Sequence, residues 1–292
     1  MEVRKVDLHM HSVYSDGSKT PIELLEIAKN SNIGTMALTD HDNIDGSKEL
    51  IKYTDLGIYL YSGVELTAKA DKGRMHILGY NIDLDNDRLN KRLIEMKDAA
   101  IYNMMLYVEI LKKDYGVIIP VEEIEELMRK NGNVGRPDIA LILIKYGYCS
   151  EVEEAFQRYL VAAYEKVRKI KKGLTKEECV DLIVGAGGVV SLAHPSSLKM
   201  SNDELDREIA YLKSLGMNAI EVQHINNKPE QREYYRYLAS KYKLMESGGT
   251  DFHGYEIKPD VLMGTGRNGN VSIDEGTLTL TKNIKSRYMM RR

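Results

Sequence analysis

Seven histidines are spread along the 292 residues, and their placement is more informative than their number. The run Asp7-Leu8-His9-Met10-His11 sets two imidazoles two residues apart. On an extended chain residues i and i+2 point the same way, so His9 and His11 can grip one metal ion. His41 stands in Thr39-Asp40-His41-Asp42, Glu65 follows Gly63-Val64, and His76 opens a further apolar run. His194 lies in Ala193-His194-Pro195 and His224 follows Val222-Gln223, while Asp251 and His253 fall in Gly248-Gly249-Thr250-Asp251-Phe252-His253-Gly254. A single histidine past a strand is ordinarily a surface or capping residue, and a single carboxylate there says less. Recurrence at one end of successive runs is what points to a shared metal site.

The elements that must position these groups are legible as short apolar runs at 6–9, 35–39, 59–64, 76–80, 189–193, 219–222 and 243–246, alternating with helical patterns. That rhythm predicts a parallel α/β sheet or barrel, whose functional face is the carboxyl end of its strands. Helix starts are marked by capping boxes at Thr20 with Glu23, Thr175 with Glu178 and Ser201 with Glu204, and Gly216 is a stop. Between about 85 and 174 the alternation ceases. Ile101, Met104, Met105, Val108 and Leu111 fall at helical spacing, and 139–144 and 151–160 read as helices too. The expected organisation is a barrel domain from 1–84 and 175–292, with a helical insertion domain at 85–174.

Asp16 belongs to a polar, glycine-containing loop, Ser12-Val13-Tyr14-Ser15-Asp16-Gly17-Ser18, short enough to fold over a barrel mouth. Taken alone, it reads as a plain Asp-Gly turn. The composition, 43% hydrophobic and 29% charged with a formal net charge of -3, is that of an ordinary globular chain without a large nucleic-acid-coating surface. Two cysteines, Cys149 and Cys179, lie far apart in no metal-like spacing, which fits a reducing compartment. The opening residues lack the apolar core of a secretion signal, and no stretch reaches the roughly 18 apolar residues of a membrane helix. A cytoplasmic protein without membrane partners is expected.

With these motifs in view, the chain resembles the polymerase and histidinol phosphatase (PHP) superfamily of metal-dependent phosphoesterases. The resemblance rests on Asp-Leu-His-Met-His-Ser, Ser-Asp-Gly, Thr-Asp-His-Asp, Gly-Val-Glu, His76, Ala-His-Pro and Gly-Thr-Asp-Phe-His-Gly, in that order over nearly the whole chain. It implies a distorted seven-stranded (β/α) barrel, TIM-like, with the helical insertion. It also implies nine ligands for two to three divalent metal ions, which act in catalysis. His9, His11, Glu65 and Asp251 would hold one. Glu65, shared, would hold a second with His76 and His194, and Asp16, His41 and His253 a third. Six imidazoles and three carboxylates suit Mn, Fe or Zn better than Mg or Ca, and manganese is the expected occupant. Asp7 and Asp40 are expected to orient ligand imidazoles as hydrogen-bond acceptors.

The chain is most similar to the subgroup whose helical insert carries Gly-Arg-Pro, here Gly135-Arg136-Pro137, and which acts on nucleoside 3',5'-bisphosphates or short RNA. Arg136 would bind phosphate through its planar fork, and Pro137 would open a helix whose N-terminus also faces the anion. The plainer alternative is a helix start with an exposed arginine. Two departures stand out. Asp138 follows Pro137 where relatives often have histidine, and no second histidine follows His224 closely. His224 stands between substrate contact and a hydrogen-bonded structural role. The basic segment 166–172 reads first as a solvated linker.

The implied reaction is hydrolysis of nucleotide phosphate esters by hydroxide generated between metals that share Glu65, with the developing phosphoryl charge neutralised by the metals and Arg136. The expected partner is a phosphorylated small molecule or short nucleic acid. The nearest alternative is a histidinol-phosphate-type phosphomonoesterase. Amidohydrolases also use His-x-His on a first barrel strand, but lack the Asp16, His41 and His253 set. A non-catalytic metal-binding domain leaves the completeness of the ligand set unexplained.

Overall fold

A computed structural model describes residues 4–131, 134–170 and 172–289. Its strands are β1 (Lys5–Asp7), β2 (Ile33–Leu38), β3 (Tyr59–Ala68), β4 (Met75–Tyr80), β5 (Val189–Leu192), β6 (Ala219–Gln223) and β7 (Met245–Gly248). They form one seven-stranded sheet in sequence order. Past the first and last strands the chain closes the sheet on itself. Leu8 N–H donates to Gly248 C=O at 3.2 Å and His11 N–H to Phe252 C=O at 2.8 Å, and Met10 pairs with Phe252 in a parallel bridge. The architecture is a distorted seven-stranded α/β barrel.

Strand direction departs from the expected uniform rhythm. The pairs β1/β2, β2/β3, β5/β6 and β6/β7 are parallel, but β4 runs antiparallel to both β3 and β5. The reason is the connection at 69–74, which is too short for the dozen or so residues that a parallel crossover needs. It turns at Gly73 (φ 59°), where a Cβ would lie 2.2 Å from the Ser197 carbonyl oxygen. His76 therefore stands at the amino end of its strand. Because that strand is reversed, His76 pairs with Thr67 near the carboxyl end of β3 and still reaches the functional face. Other boundaries shift too, β1 and β2 falling at Lys5–Asp7 and Ile33–Leu38. β3 continues past Glu65 to Ala68, and Lys243, in a left-handed conformation (φ 51°), caps the preceding helix, so β7 begins at Met245.

The helices are α1 (Pro21–Asn30), α2 (Asp45–Leu50), α3 (Asp87–Tyr115), α4 (Val121–Asn131), α5 (Arg136–Lys145) and α6 (Val152–Ala155). They continue with α7 (Val161–Ile170), α8 (Lys176–Gly185), α9 (Asn202–Leu215), α10 (Pro229–Tyr242) and α11 (Thr279–Asn283). Reciprocal capping boxes at Thr20, Thr175 and Ser201 open α1, α8 and α9, and Gly216 ends α9. Each satisfies backbone N–H groups that a helix start leaves without partners. The barrel core includes Leu8, Met10, Met36, Leu38, Leu60, Leu78 and Phe252, all wholly buried. Burying each such side chain contributes roughly 2 kcal/mol, so apolar packing supports the barrel independently of the polar cluster at its mouth.

The chain divides into two compact units. One runs to Leu93 and resumes at Leu174; the other is residues 94–173. The division falls inside α3, because its first turns are tied to the barrel. Leu89 is wholly buried, and Asn90 Nδ2 donates to Leu84 C=O at 2.8 Å. The second unit contains only helices among its described residues. It has its own core around Leu111, Val117, Ile139, Leu143, Leu160 and Ala163. Among the described residues no helix is long and apolar enough to cross a membrane.

Candidate metal centre

Glu65, in β3 and 1% exposed, divides its carboxylate between two groups of imidazoles. Oε1 lies 3.0 Å from His76 Nδ1 and 2.9 Å from His194 Nε2. Oε2 lies 3.2 Å from His9 Nε2, His11 Nε2 and His41 Nδ1 alike. Asp251 adds a second carboxylate, with Oδ1 3.2 Å from His11 Nε2 and 3.6 Å from His9 Nε2. Asp16 faces the other side of His11, 3.5 Å from its Nδ1, and its Oδ2 lies 3.3 Å from His253 Nε2 and 3.9 Å from His41 Nε2. The ligand residues expected from the sequence thus share one contiguous cluster. Their donor atoms are close enough to share an ion in the sets His9–His11–Asp251, His9–Glu65–His194, His41–Glu65–His76 and His11–Asp16–His41–His253.

Hydrogen bonds behind the rings decide which nitrogen each histidine presents. His9 Nδ1 lies 2.8 Å from Glu221 Oε1, and a carboxylate there takes the N–H, leaving the Nε2 lone pair facing the cluster. His253 Nδ1 lies 2.8 Å from the Asp251 carbonyl oxygen, which can only accept. Ser197 Oγ donates to the Arg74 carbonyl and lies 2.8 Å from His194 Nδ1, so it accepts from that ring. Ser15 Oγ donates to Asp40 Oδ1 at 2.6 Å and presents its lone pair to His11 Nδ1 at 3.4 Å. Four histidines are therefore set to turn the Nε2 lone pair to the cluster. His41 and His76 turn Nδ1 to Glu65 instead. His224 is the reverse case: its Nδ1 accepts from Asn226 N–H at 3.1 Å. When neutral it carries its proton on Nε2, which lies 3.5 Å from Asp251 Oδ2 without a hydrogen-bond partner.

The supporting carboxylates differ from those expected. Asp7 touches no imidazole. It accepts from the backbone of His9, Thr250 and Gly264 and from the Thr250 hydroxyl, pinning the loop that carries Asp251 to β1. Asp40 accepts from Ser12 N–H, Ser12 Oγ and Ser15 Oγ, so it reaches His11 only through a serine. Both carboxylates are occupied by backbone N–H and hydroxyl donors, which leaves neither free for a ring. The carboxylate that meets a ring is Glu221 on β6, 2.8 Å from His9 Nδ1, which sequence reading missed. Its signal was a carboxylate inside the apolar strand Ala219-Ile220-Glu221-Val222. Lys258 was missed too: its Nζ lies 2.8 Å from Asp251 Oδ2.

Local backbone holds the cluster under constraint. His194 (φ 24°) and Asp251 (φ 52°) adopt left-handed conformations although neither is glycine. Each such residue costs on the order of 1–3 kcal/mol, which surrounding bonds must offset. At Gly17 a Cβ would sit 2.3 Å from the His11 carbonyl oxygen. Only glycine lets the loop lie this close, and the close approach brings neighbouring Asp16 onto His11.

The electrostatics call for cations. Burial alone would raise Glu65, but the imidazoles of His41, His9 and His76 hold it well below the usual carboxylate range. Burial would lower His9 and His11. Glu221 and Glu65 instead hold His9 well above its ordinary value, and Asp251 and Glu65 push His11 up to about 10. His41, in which burial dominates, falls to about 3. Without metal, the buried carboxylates thus favour proton binding at His9 and His11. His9 Nε2, His11 Nε2, His41 Nδ1 and Glu65 Oε2 are buried without a hydrogen-bond partner. Leaving such groups unsatisfied costs about 1–3 kcal/mol each. Imidazole and carboxylate donors converging in this way fit divalent transition metals.

Arg136 lies in the helical unit at the start of α5, its guanidinium 4.2 Å from the Tyr164 ring centroid and 5.9 Å from that of Phe156. Asp138 Oδ2 accepts from Gly135 N–H at 2.7 Å, so the departure at Asp138 puts a carboxylate on the helix N-terminus that was expected to face an anion. Of the basic segment, Lys171 and the side chains of Arg168 and Lys169 lie outside the described residues. Lys166 pairs with Asp114 at 2.7 Å.

Residues 7–186 match the PHP domain family. The chain is 31% identical over 251 residues to the 5'-3' exoribonuclease Rnm of Escherichia coli strain K12, covering 85% of this chain and 84% of that protein. It is 27% identical over 256 residues to the 3',5'-nucleoside bisphosphate phosphatase of Chromobacterium violaceum, covering 85% and 87%. A solved structure of an amidohydrolase from Chromobacterium violaceum, with bound sulfate and no metal, superposes with a TM-score of 0.73 at 26% identity, over 89% of this chain and 90% of that one.

Proposed function

Because the chain belongs to the PHP domain family and is thereby a metal-dependent phosphoester hydrolase, we propose that it acts on nucleotide phosphate esters, either a nucleoside 3',5'-bisphosphate or the 5' end of short RNA. The observation that carries this reading is the divided Glu65 carboxylate, each oxygen facing its own set of imidazoles. On this reading His9, His11, Glu65 and Asp251 hold one ion, Glu65, His76 and His194 a second, and Asp16, His41 and His253 a third, with manganese as the occupant and iron or zinc as substitutes. Bound there, such ions supply charge neutralisation at phosphoryl oxygens and acidify water at neutral pH.

The chain's own groups do the rest. Glu65 and Asp251 set carboxylate oxygens among the imidazole nitrogens, where they would complete the ligand sets. Lys258 Nζ, 2.8 Å away, holds the second oxygen of Asp251, which His224 Nε2 faces at 3.5 Å. On the Gly-Arg-Pro resemblance Arg136 is assigned to phosphate binding, its guanidinium lying 4.2 Å from the Tyr164 ring centroid within the helical unit. The relatives' names favour nucleotides over histidinol phosphate. The set Asp16, His41 and His253 favours ester over amide hydrolysis. A cytoplasmic setting fits the free thiols of Cys149 and Cys179.

The test is product release by manganese-reconstituted protein from adenosine 3',5'-bisphosphate, AMP, a 5'-phosphorylated RNA trinucleotide and histidinol phosphate. Phosphate from the bisphosphate, or mononucleotide from the trinucleotide, is the expected result. Selective turnover of histidinol phosphate would replace this substrate class with the alternative.

A further inference from the structure

Glu221 occupies the middle of β6, opposite Ser247 on β7, and exposes no surface. Its two oxygens serve two different elements. Oε1 lies 2.8 Å from His9 Nδ1, and Oε2 accepts the backbone N–H of His194 at 2.6 Å. The first bond fixes the tautomer and tilt of the His9 ring, so that Nε2 faces Glu65 and Asp251. The second holds the strained turn at His194 (φ 24°), from which that ring's Nε2 reaches Glu65 Oε1 at 2.9 Å. We propose that Glu221 is a positioning residue that couples two neighbouring metal groups, one built on His9, His11 and Asp251 and the other on Glu65 and His194. The proposal rests on reading the cluster as a metal centre.

A rival role for Glu221 is direct ligation, since His9, Glu221 and His224 also bring donor atoms within reach of one ion. The hydrogen bonds argue against it. Both Glu221 oxygens already accept N–H groups, His9 turns its proton-bearing nitrogen to this side, and His224 Nδ1 takes the Asn226 N–H. This set is closed by protons, while the sets on the other side of His9 are not.

The discriminating variant is Glu221→Gln. The amide has the same shape but offers one acceptor oxygen and one NH2 group. Whichever way it turns, one of the two N–H donors meets another donor. Outer carboxylate partners of ligand histidines typically contribute about 10–100-fold in metal affinity. Chelator-competition titration of metal-free protein with zinc, alongside metal analysis, should show the variant retaining wild-type stoichiometry. Two affinities should fall together by about that factor, while the site of Asp16, His41 and His253 is unchanged. Ser197→Ala, which removes the partner of the His194 ring together with that hydroxyl's bond to the Arg74 carbonyl and leaves His9 untouched, should weaken one site alone. Unchanged affinities in Glu221→Gln, or a fall at one site only, would overturn the coupling. Loss of one whole ion with the others unaffected would make Glu221 a ligand instead. Failure of the wild type to bind zinc at all would remove the metal reading itself. Should the Gln variant not fold, nitrogen-15 spectra of the zinc-loaded wild type decide: a His9 proton on Nδ1 supports the proposal, and one on Nε2 overturns it.

Discussion

His194 Nε2 and Glu65 Oε1 stand 2.9 Å apart, and with the His194 Nδ1 proton directed at Ser197 both facing atoms are acceptors in the neutral ring. Such a pair is favourable only with a cation between its members. The same holds for His9 and His11 against Glu65 Oε2.

Metal loading should therefore stabilise the fold. An ion bound only by the native state adds about 2.7 kcal/mol when its concentration is 100-fold above its dissociation constant. At roughly 2–4 °C per kcal/mol, removal of metal by chelator should lower Tm by on the order of 5–10 °C, and manganese or zinc should restore it. Differential scanning fluorimetry gives the answer directly. An unchanged Tm in protein shown by metal analysis to have lost its ions would contradict this.

Asp251→Asn should abolish turnover and spare the fold. The amide keeps the shape but cannot hold a divalent ion as a carboxylate does, and metal-ion catalysis contributes several kcal/mol, or about 10²–10⁴ in rate. His41→Ala should act likewise. The apolar core is untouched in both, so far-UV circular dichroism of the metal-free variants should match wild type. A folded, metal-replete Asp251→Asn protein with near-normal turnover would sink the assignment.

The protonation states predict a pH dependence. The carboxylates of Asp251 and Glu65 push His11 up to about 10 against the effect of burial, above an unfolded value of about 6.5. A raised folded pKa contributes stability that is complete below the unfolded value and is lost as pH rises through the folded one. Metal-free protein should thus lose stability between about pH 6.5 and 10. Over the same range metal affinity should rise, because ligation must displace the proton. Calorimetric titrations in buffers of different ionisation enthalpy should register proton release on metal binding, and its absence near neutral pH would count against protonated His9 and His11.

Gly17→Ala tests the loop. The added methyl would meet the His11 carbonyl oxygen at 2.3 Å, so the backbone must move, and overpacking of this kind costs about 1–3 kcal/mol. Asp16 moves with it. Binding at the Asp16, His41 and His253 set should weaken while the Glu65 sets remain. Wild-type affinity at every site would show that Asp16 does not depend on this turn.

Arg136→Ala should raise KM for a nucleotide substrate more than it lowers kcat, because a phosphate clamp contributes ground-state binding. Steady-state kinetics on the bisphosphate would reveal it. Unchanged constants would return Arg136 to a packing role against Tyr164.

The sequence alone determined the kind of chemistry and most of the elements. His-x-His after a first strand, the caps at Thr20, Thr175 and Ser201, and the helical spacing from Ile101 to Leu111 are local signals, each arising from periodicity or backbone hydrogen bonding within a few residues. Three matters were decided only by the tertiary structure. Strand direction at β4 depended on the length of the 69–74 turn, so an apolar run at His76 could not reveal that the strand is reversed. The roles of Asp7, Asp40 and Glu221 depended on which carboxylate the closed barrel brings next to a ring and which it brings next to backbone N–H and hydroxyl groups. The nitrogen each histidine presents depended on partners up to 212 residues away, as with His9 and Glu221. A proton's place on an imidazole follows from what stands behind the ring, and only the closed barrel put Glu221, Ser197 and Asn226 there.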